Sequence, residues 1–148
     1  MADPKEEKKK IETAKKEIQG EVKKLSLKMR KPVKEAKALL EEKKTLEETK
    51  KIGPEEKKKI KKIDLKMGAI IKVCEKEAAS SGKKIDLMLK NYIPDDKKAL
   101  PLWQKGMSGW YINMLNKEPG LGIGGKMRVN GDISFKKKKA VFTLSGKF

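Results

Sequence analysis

An apolar residue recurs at almost every helical turn near the start of the chain, and this pattern constrains the fold most. Nine apolar positions between residues 11 and 40 have a mean spacing of about 3.6 residues, the period of a straight amphipathic helix. They are Ile11, Ala14, Ile18, Val22, Leu25, Met29, Val33, Ala36 and Leu40. We predict a helix over residues 4–51, with a kink near Pro32 because proline lacks the backbone donor. A break into two helices is the alternative.

A short turn after this helix is predicted to reverse the direction of the chain. Gly53 suits the end of a helix, and Pro54 suits the first position of the next one. Residues 54–79 again carry one apolar face, which includes the single cysteine, Cys74. Two apolar stripes joined by a short turn predict an antiparallel helical hairpin, which we assign to residues 1–80 as a first region.

Residues 81–148 are predicted to form a smaller α+β region. The segment "ASSGKK" predicts the end of the second helix, and a short helix over residues 83–92 follows. A further helix over residues 101–117 contains both tryptophans. The predicted fold class is therefore α+β and mostly α, with a long helical hairpin, two shorter helices and a small C-terminal antiparallel β-hairpin or meander.

Residues 126–148 show the alternating hydrophobic pattern that is typical of strands with one buried face. Asn130-Gly131 resembles a two-residue hairpin turn, but this turn would place Arg128 opposite Ile133 and mix charged with apolar side chains. A three-residue loop over 130–132 keeps the apolar face, and so does one continuous strand through Gly131. Both alternatives remain open from the sequence.

The second connection of this region contains four consecutive lysines. With Lys136–Lys139 as the loop, Phe135 lies opposite Ala140 and Ile133 lies opposite Phe142. We therefore predict a small sheet with one apolar face. Because so small a sheet is not stable alone, it should pack on a helix.

The segment "GLGIGGKM", residues 120–127, matches the spacing of phosphate-binding loops. Such loops need a helix after them, whose N-terminus holds the anion, but a strand pattern follows here. Met127 also stands where Ser or Thr would bind magnesium. We interpret residues 119–125 as a joint between the helical and β parts and predict no cofactor. A weak anion site beside Lys126 and Arg128 is the alternative.

Enzymatic chemistry has little support in the sequence. The chain has no histidine, which excludes Ser–His and Cys–His nucleophile pairs. Cys74 falls on an apolar helix face, which indicates a core position. Adjacent carboxylates occur in lysine-rich stretches that are typical of solvent-exposed surfaces. We therefore predict a protein that is not an enzyme and holds no metal.

The charge of the chain directs attention to anionic partners. Lys and Arg total 39 against 21 acidic residues, which gives a net charge of +18. Only Arg30 and Arg128 are arginines, so diffuse attraction is favoured over bidentate recognition. Since no signal peptide or membrane span is visible, we expect a cytoplasmic protein, with non-classical export as an alternative.

Our leading hypothesis is a non-enzymatic interaction or assembly protein that binds a protein partner or itself. The alternatives are sequence-nonspecific nucleic-acid binding and a peripheral membrane-binding or exported effector protein. The candidate contact residues are Trp103, Trp110, Tyr111, Lys126, Arg128, Lys136, Lys137, Lys138 and Lys139. If Trp103 and Trp110 are buried as core residues instead, the contact must be sought on the helical hairpin.

Overall fold

Three helices and a small sheet form the part of the chain that the computed structural model describes, which is residues 4–49, 52–124 and 127–146. The elements are α1 (Pro4–Glu47), α2 (Pro54–Tyr92), α3 (Leu100–Lys117), a 3-10 turn (Pro119–Leu121), β1 (Gly122–Gly124), β2 (Met127–Ser134) and β3 (Lys139–Ser145). The sheet is antiparallel in the order β1-β2-β3. The predicted α+β, mostly α fold class is confirmed.

Helices α1 and α2 form the predicted antiparallel hairpin. Lys28 lies 3.9 Å from Glu77, and Lys43 lies 2.8 Å from Asp64, so residue numbers rise along one helix as they fall along the other. Eight of the nine predicted apolar positions of α1 are buried, and Leu40 is half-buried. Helix α1 runs through Pro32 without a break, so the alternative of two separate helices is wrong.

The prediction of a separate short helix over residues 83–92 is wrong, because these residues form the last turns of α2. The small residues Ser81 and Gly82 before them do not end the helix, because they allow α2 to pack closely against α1 and β3. Ser81 is buried and its hydroxyl donates to Glu21 over 3.3 Å. A Cβ atom added at Gly82 would lie 3.4 Å from the carbonyl oxygen of Ala140. The predicted boundary between two regions thus falls inside α2, and one core cluster includes residues from both sides of it.

Strand β2 is continuous through Gly131, so the continuous-strand alternative is correct and the three-residue loop is wrong. The glycine is explained by packing against α3. A Cβ atom at Gly131 would lie 2.6 Å from Cδ1 of Leu115 and 3.0 Å from the hydroxyl of Tyr111. The dipeptide Asn130-Gly131 therefore marks a close approach between β2 and α3 and not a turn.

The pairing of β2 with β3 differs from the predicted register by two residues. Ala140 lies opposite Ile133, and the connection consists of residues 135–138. Phe135 has left the strand ladder and is buried in the core. Because side chains alternate with a period of two, this shift keeps the predicted face of every strand residue.

The glycine-rich segment forms a 3-10 turn and the short strand β1, in which Gly122 pairs with Arg128. Gly120 lies directly on α1, since a Cβ atom there would be 1.7 Å from the hydroxyl oxygen of Ser26. The described part of the predicted joint is thus regular structure, and Gly125 and Lys126 lie outside the described residues. Strand β2 follows the segment where a phosphate loop would need a helix.

Candidate interaction surfaces

Two of the three aromatic candidates are core residues. Trp103 is buried, and its indole Nε1 donates to Oε2 of Glu7 over 2.8 Å. Tyr111 is also buried, and among the described residues its hydroxyl has no hydrogen-bond partner. Burial raises the pKa of Tyr111 well above its usual range, and the charges of Asp132 and Asp86 add to this effect. These aromatic side chains hold α3 against α1 and the sheet.

Trp110 is the aromatic candidate that reaches the surface. It is half-buried, and the Nζ atom of Lys15 lies 5.6 Å from the centre of its ring. Lys15 also approaches Oε1 of Glu12 at 3.3 Å. A cation in this position is worth about 0.5–1 kcal/mol at an exposed site. Trp110 therefore lies at the border between α1 and α3.

Arg128 supports the fold. Its Nη2 atom donates to the carbonyl oxygens of Leu115 at 2.6 Å and Glu118 at 3.1 Å. These carbonyls lie at the C-terminus of α3, where backbone acceptors lack helical partners and a positive charge is favourable. Its Nε atom is buried without a hydrogen-bond partner in the described part of the chain. Lys126, the neighbouring candidate, lies outside the described residues.

The lysine loop divides into one anchored residue and three exposed ones. The Nζ atom of Lys138 lies 2.5 Å from Oδ1 of Asp95. Lys138 also has a positive φ of 53°, a conformation that L-residues seldom adopt. Lys136, Lys137 and Lys139 are exposed to solvent. The loop is therefore tied to the segment after α2 while it presents three cations.

Comparison with known proteins assigns no family. No protein-family model, no curated protein and no solved structure matches this chain. The function must therefore be inferred from the surfaces of the chain itself.

Metal and membrane sites also find no support within the described ranges. Over residues 4–49, 52–124 and 127–146, no cluster of three or more acidic or cysteine side chains is placed to hold a metal ion. None of the helices in these same ranges combines the length and the apolar character that crossing a membrane requires. Since Trp103 is buried and Trp110 is half-buried, the two tryptophans form no shared exposed patch, and the helical hairpin offers the other candidate contact surface.

The far half of the hairpin forms an arm, which we define as residues 30–47 of α1 and residues 54–73 of α2. In the rest of the described chain, here called the body, these two helices pack against α3, the 3-10 turn and the sheet. Val33 and Ile70 in the arm keep 7% and 8% of their surface exposed, whereas Leu25 in the body has 0%. Two positions of the arm's stripe thus keep a little surface exposed, although Ala36 of the same stripe is fully buried.

An open apolar groove of about 520 Å³ runs along one side of the arm. It is lined by Glu35, Ala38, Leu39, Lys66, Ala69 and Ile70. Beside it, Leu65 is 76% exposed and Val73 is 50% exposed. Leu65, Ala69 and Val73 follow each other at intervals of four residues and so lie on one face of α2. This second stripe is visible in the sequence as a four-residue spacing outside the main apolar face.

Proposed function

We propose that this protein is a non-enzymatic interaction protein that binds an acidic amphipathic helix of a partner protein along the arm. The observation that carries the proposal is the exposure of Leu65 and Val73 beside an open apolar groove. Helices bind in such grooves through apolar residues at intervals of three and four positions. The stripe on α2 has this same spacing, so it matches the apolar face of one incoming helix.

The gain in apolar burial favours a third helix on the arm. Full burial of a Leu or Val side chain is worth about 1.5–3 kcal/mol, and the exposed fraction of this gain is still available at both positions. The small residues Ala38 of α1 and Ala69 of α2 both line the groove and leave room for larger side chains of a partner. A docked helix would therefore complete a three-helix layer with a dry centre.

The charge of the chain favours an acidic partner over a second copy. Lys66 and Glu35 both line the groove, and Lys62 lies one turn before Lys66 on the same helix face, so lysines outnumber the acidic residue there. Neither lysine makes an ion pair with another described residue. A second copy would bring another +18 charges close, which opposes association, whereas an acidic helix would be attracted.

Two synthetic helices test this proposal. Both peptides have about 18 residues, or five helical turns, and share the same leucine face, but one has glutamate and the other lysine at the polar positions. We expect saturable binding of the glutamate peptide at physiological salt, measured by fluorescence anisotropy. The double variant Leu65→Ser/Val73→Ser should weaken this binding by about ten-fold or more.

A matched control distinguishes binding at the groove from nonspecific binding to exposed apolar side chains. Leu27 and Leu87 are 62% and 60% exposed and lie in the body, outside the residues that define the arm. The variant Leu27→Ser/Leu87→Ser should bind the glutamate peptide within about two-fold of the parent. Equal losses in both double variants would contradict the proposal. Sedimentation provides the other outcome. If the protein forms concentration-dependent dimers that Leu65→Ser/Val73→Ser abolishes, and if it binds neither peptide, the occupant of the groove is a second copy of the chain and not a partner helix.

Sequence-nonspecific nucleic-acid binding is a second candidate, which the three exposed lysines of the loop favour. Lys136, Lys137 and Lys139 present cations at one connection of the sheet. For such binding, the logarithm of the affinity falls linearly with the logarithm of salt concentration. Replacing all three by glutamine should reduce this slope for duplex DNA. A slope that is unchanged in the triple variant, or no binding at low salt, would remove this candidate.

A further inference from the structure

A second groove lies in the body, between the first turns of α1 and the start of α3. It encloses about 520 Å³, and Ile11 and Leu102 provide its apolar surface. Gly106 contributes to the lining and allows the two helices to approach, since a Cβ atom there would lie 3.3 Å from Cγ2 of Ile11. The groove is therefore short and amphipathic, with an apolar floor at Leu102 and the nearly buried Ile11 and with a glycine in its wall.

Lysines from both helices line this groove. Lys8 and Lys15 come from α1, Lys105 comes from α3, and Glu12 is the one acidic residue of the lining. Lys15 approaches Glu12 at 3.3 Å, so these two charges largely compensate each other. Lys8 and Lys105 form no ion pair with any other described residue. Two uncompensated cations, one on each helix, thus lie beside the same apolar surface.

We propose that this groove binds a small amphipathic anion, with a phosphate or carboxylate head and an apolar body. The head lies between Lys8 and Lys105, where two ammonium groups can share its charge. The apolar body lies over Ile11 and Leu102. The volume of the groove falls within the roughly 300–1,000 Å³ that is usual for small-molecule sites. This site shares no lining residue with the groove of the arm.

Octyl phosphate is a suitable probe because it carries both parts of the proposed ligand and can be used below the concentration at which it forms micelles. We expect saturable binding in isothermal titration calorimetry, with a change in the fluorescence of the nearby Trp110. Inorganic phosphate should bind at least about ten-fold more weakly because it has no apolar body. Octyl glucoside should also bind at least about ten-fold more weakly because it has no charge.

Charge-matched variants distinguish the site from the general positive charge of the chain. Lys8→Gln/Lys105→Gln should weaken octyl phosphate binding by about ten-fold or more. Lys72→Gln/Lys76→Gln removes the same charge from exposed positions of α2 and should change it by less than about two-fold. Equal effects of the two double variants, or no saturable binding to the parent protein, would overturn the proposal.

Lipid vesicles distinguish the two sources of such an anion. The protein is mixed with vesicles of phosphatidic acid in phosphatidylcholine and tested for flotation. Flotation that is lost in Lys8→Gln/Lys105→Gln but kept in Lys72→Gln/Lys76→Gln would identify a lipid headgroup as the ligand. Binding of octyl phosphate without flotation would identify a soluble molecule. Loss of peptide binding by the arm variants would leave both results unaffected, because the arm and this groove share no lining residue.

Discussion

The indole nitrogen of Trp103 and the carboxylate of Glu7 form a hydrogen bond of 2.8 Å between two buried side chains that are 96 positions apart in the chain. The bond connects the first turns of α1 to α3. Among the described residues, the carboxylate has one further close partner, the Nζ atom of Lys10 at 3.6 Å. Because a buried carboxylate is costly without hydrogen bonds, this contact fixes where α3 lies on α1.

Replacing Trp103 by phenylalanine should destabilise the fold. The variant keeps an aromatic ring but removes the donor to Glu7, so we expect the free energy of unfolding to fall by about 1–3 kcal/mol. Urea unfolding followed by circular dichroism measures this change. Glu12→Gln, which removes an exposed carboxylate from the same helix, should cost less than about 1 kcal/mol and serves as the control. Equal losses for both variants would contradict the structural role of the buried pair.

Gly120→Ala should also destabilise the protein, because the new methyl group would overlap Ser26 on α1. Its Cβ atom would lie 1.7 Å from the Ser26 hydroxyl oxygen and 2.8 Å from the Ser26 Cβ atom, so Ser26 must move and lose its hydrogen bond to Glu118. We expect a loss of about 1–3 kcal/mol in urea unfolding. Gly68→Ala should instead stabilise α2 by about 0.5–1 kcal/mol, since open space surrounds that position. A stable Gly120→Ala variant would contradict the contact.

The ion pair between Asp95 and Lys138 makes a prediction about pH. The Lys138 ammonium group holds the pKa of Asp95 below its usual value of 3.8. The pair therefore contributes stability above about pH 4, and this contribution is lost as the pH falls through the lowered pKa. Carbon NMR of the carboxyl group should show the low midpoint in the parent protein. The midpoint should rise in Lys138→Gln and stay unchanged in Lys137→Gln; a low midpoint in Lys138→Gln would refute the pairing.

Cys74 should react slowly with thiol reagents while the protein is folded. Burial raises the pKa of its thiol, and the charges of Glu75 and Glu77 raise it further, so little reactive thiolate is present at neutral pH. We expect labelling by a chromogenic disulfide to follow unfolding as urea is added, with full reaction in strong denaturant. Rapid labelling of the native protein would show that the α1–α2 interface opens at this level.

The helical part of the fold could be predicted well because apolar spacing directly reports which face of a helix is buried. The buried positions from Ile11 to Ala36 are those that the 3.6-residue period selects. The continuity of α2 could not be predicted in this way. Ser81 and Gly82 have the local signature of a helix end, but their small size serves contacts with Glu21 and β3, which the chain forms only after folding.

The candidate surfaces were harder to predict, since burial depends on which elements meet. Trp103 and Tyr111 are residue types that are common at protein interfaces, but in this fold α1 and β2 cover them. Conversely, Leu65 and Val73 are exposed because no third helix covers the arm among the described residues. Sheet parity predicted the faces of β2 and β3, but not the register, which depends on Phe135 entering the core.

The uninterrupted course of α2 has a mechanical consequence. Its 39 residues span about 58 Å at 1.5 Å per residue, and the same helix carries the stripe of the arm at one end and the support of β3 at the other. A helix docked at Leu65, as proposed, would therefore be held at a set distance from β3. The number of turns of α2 between Leu65 and Gly82 sets this distance, so inserting or deleting one turn would change it by about 5.4 Å.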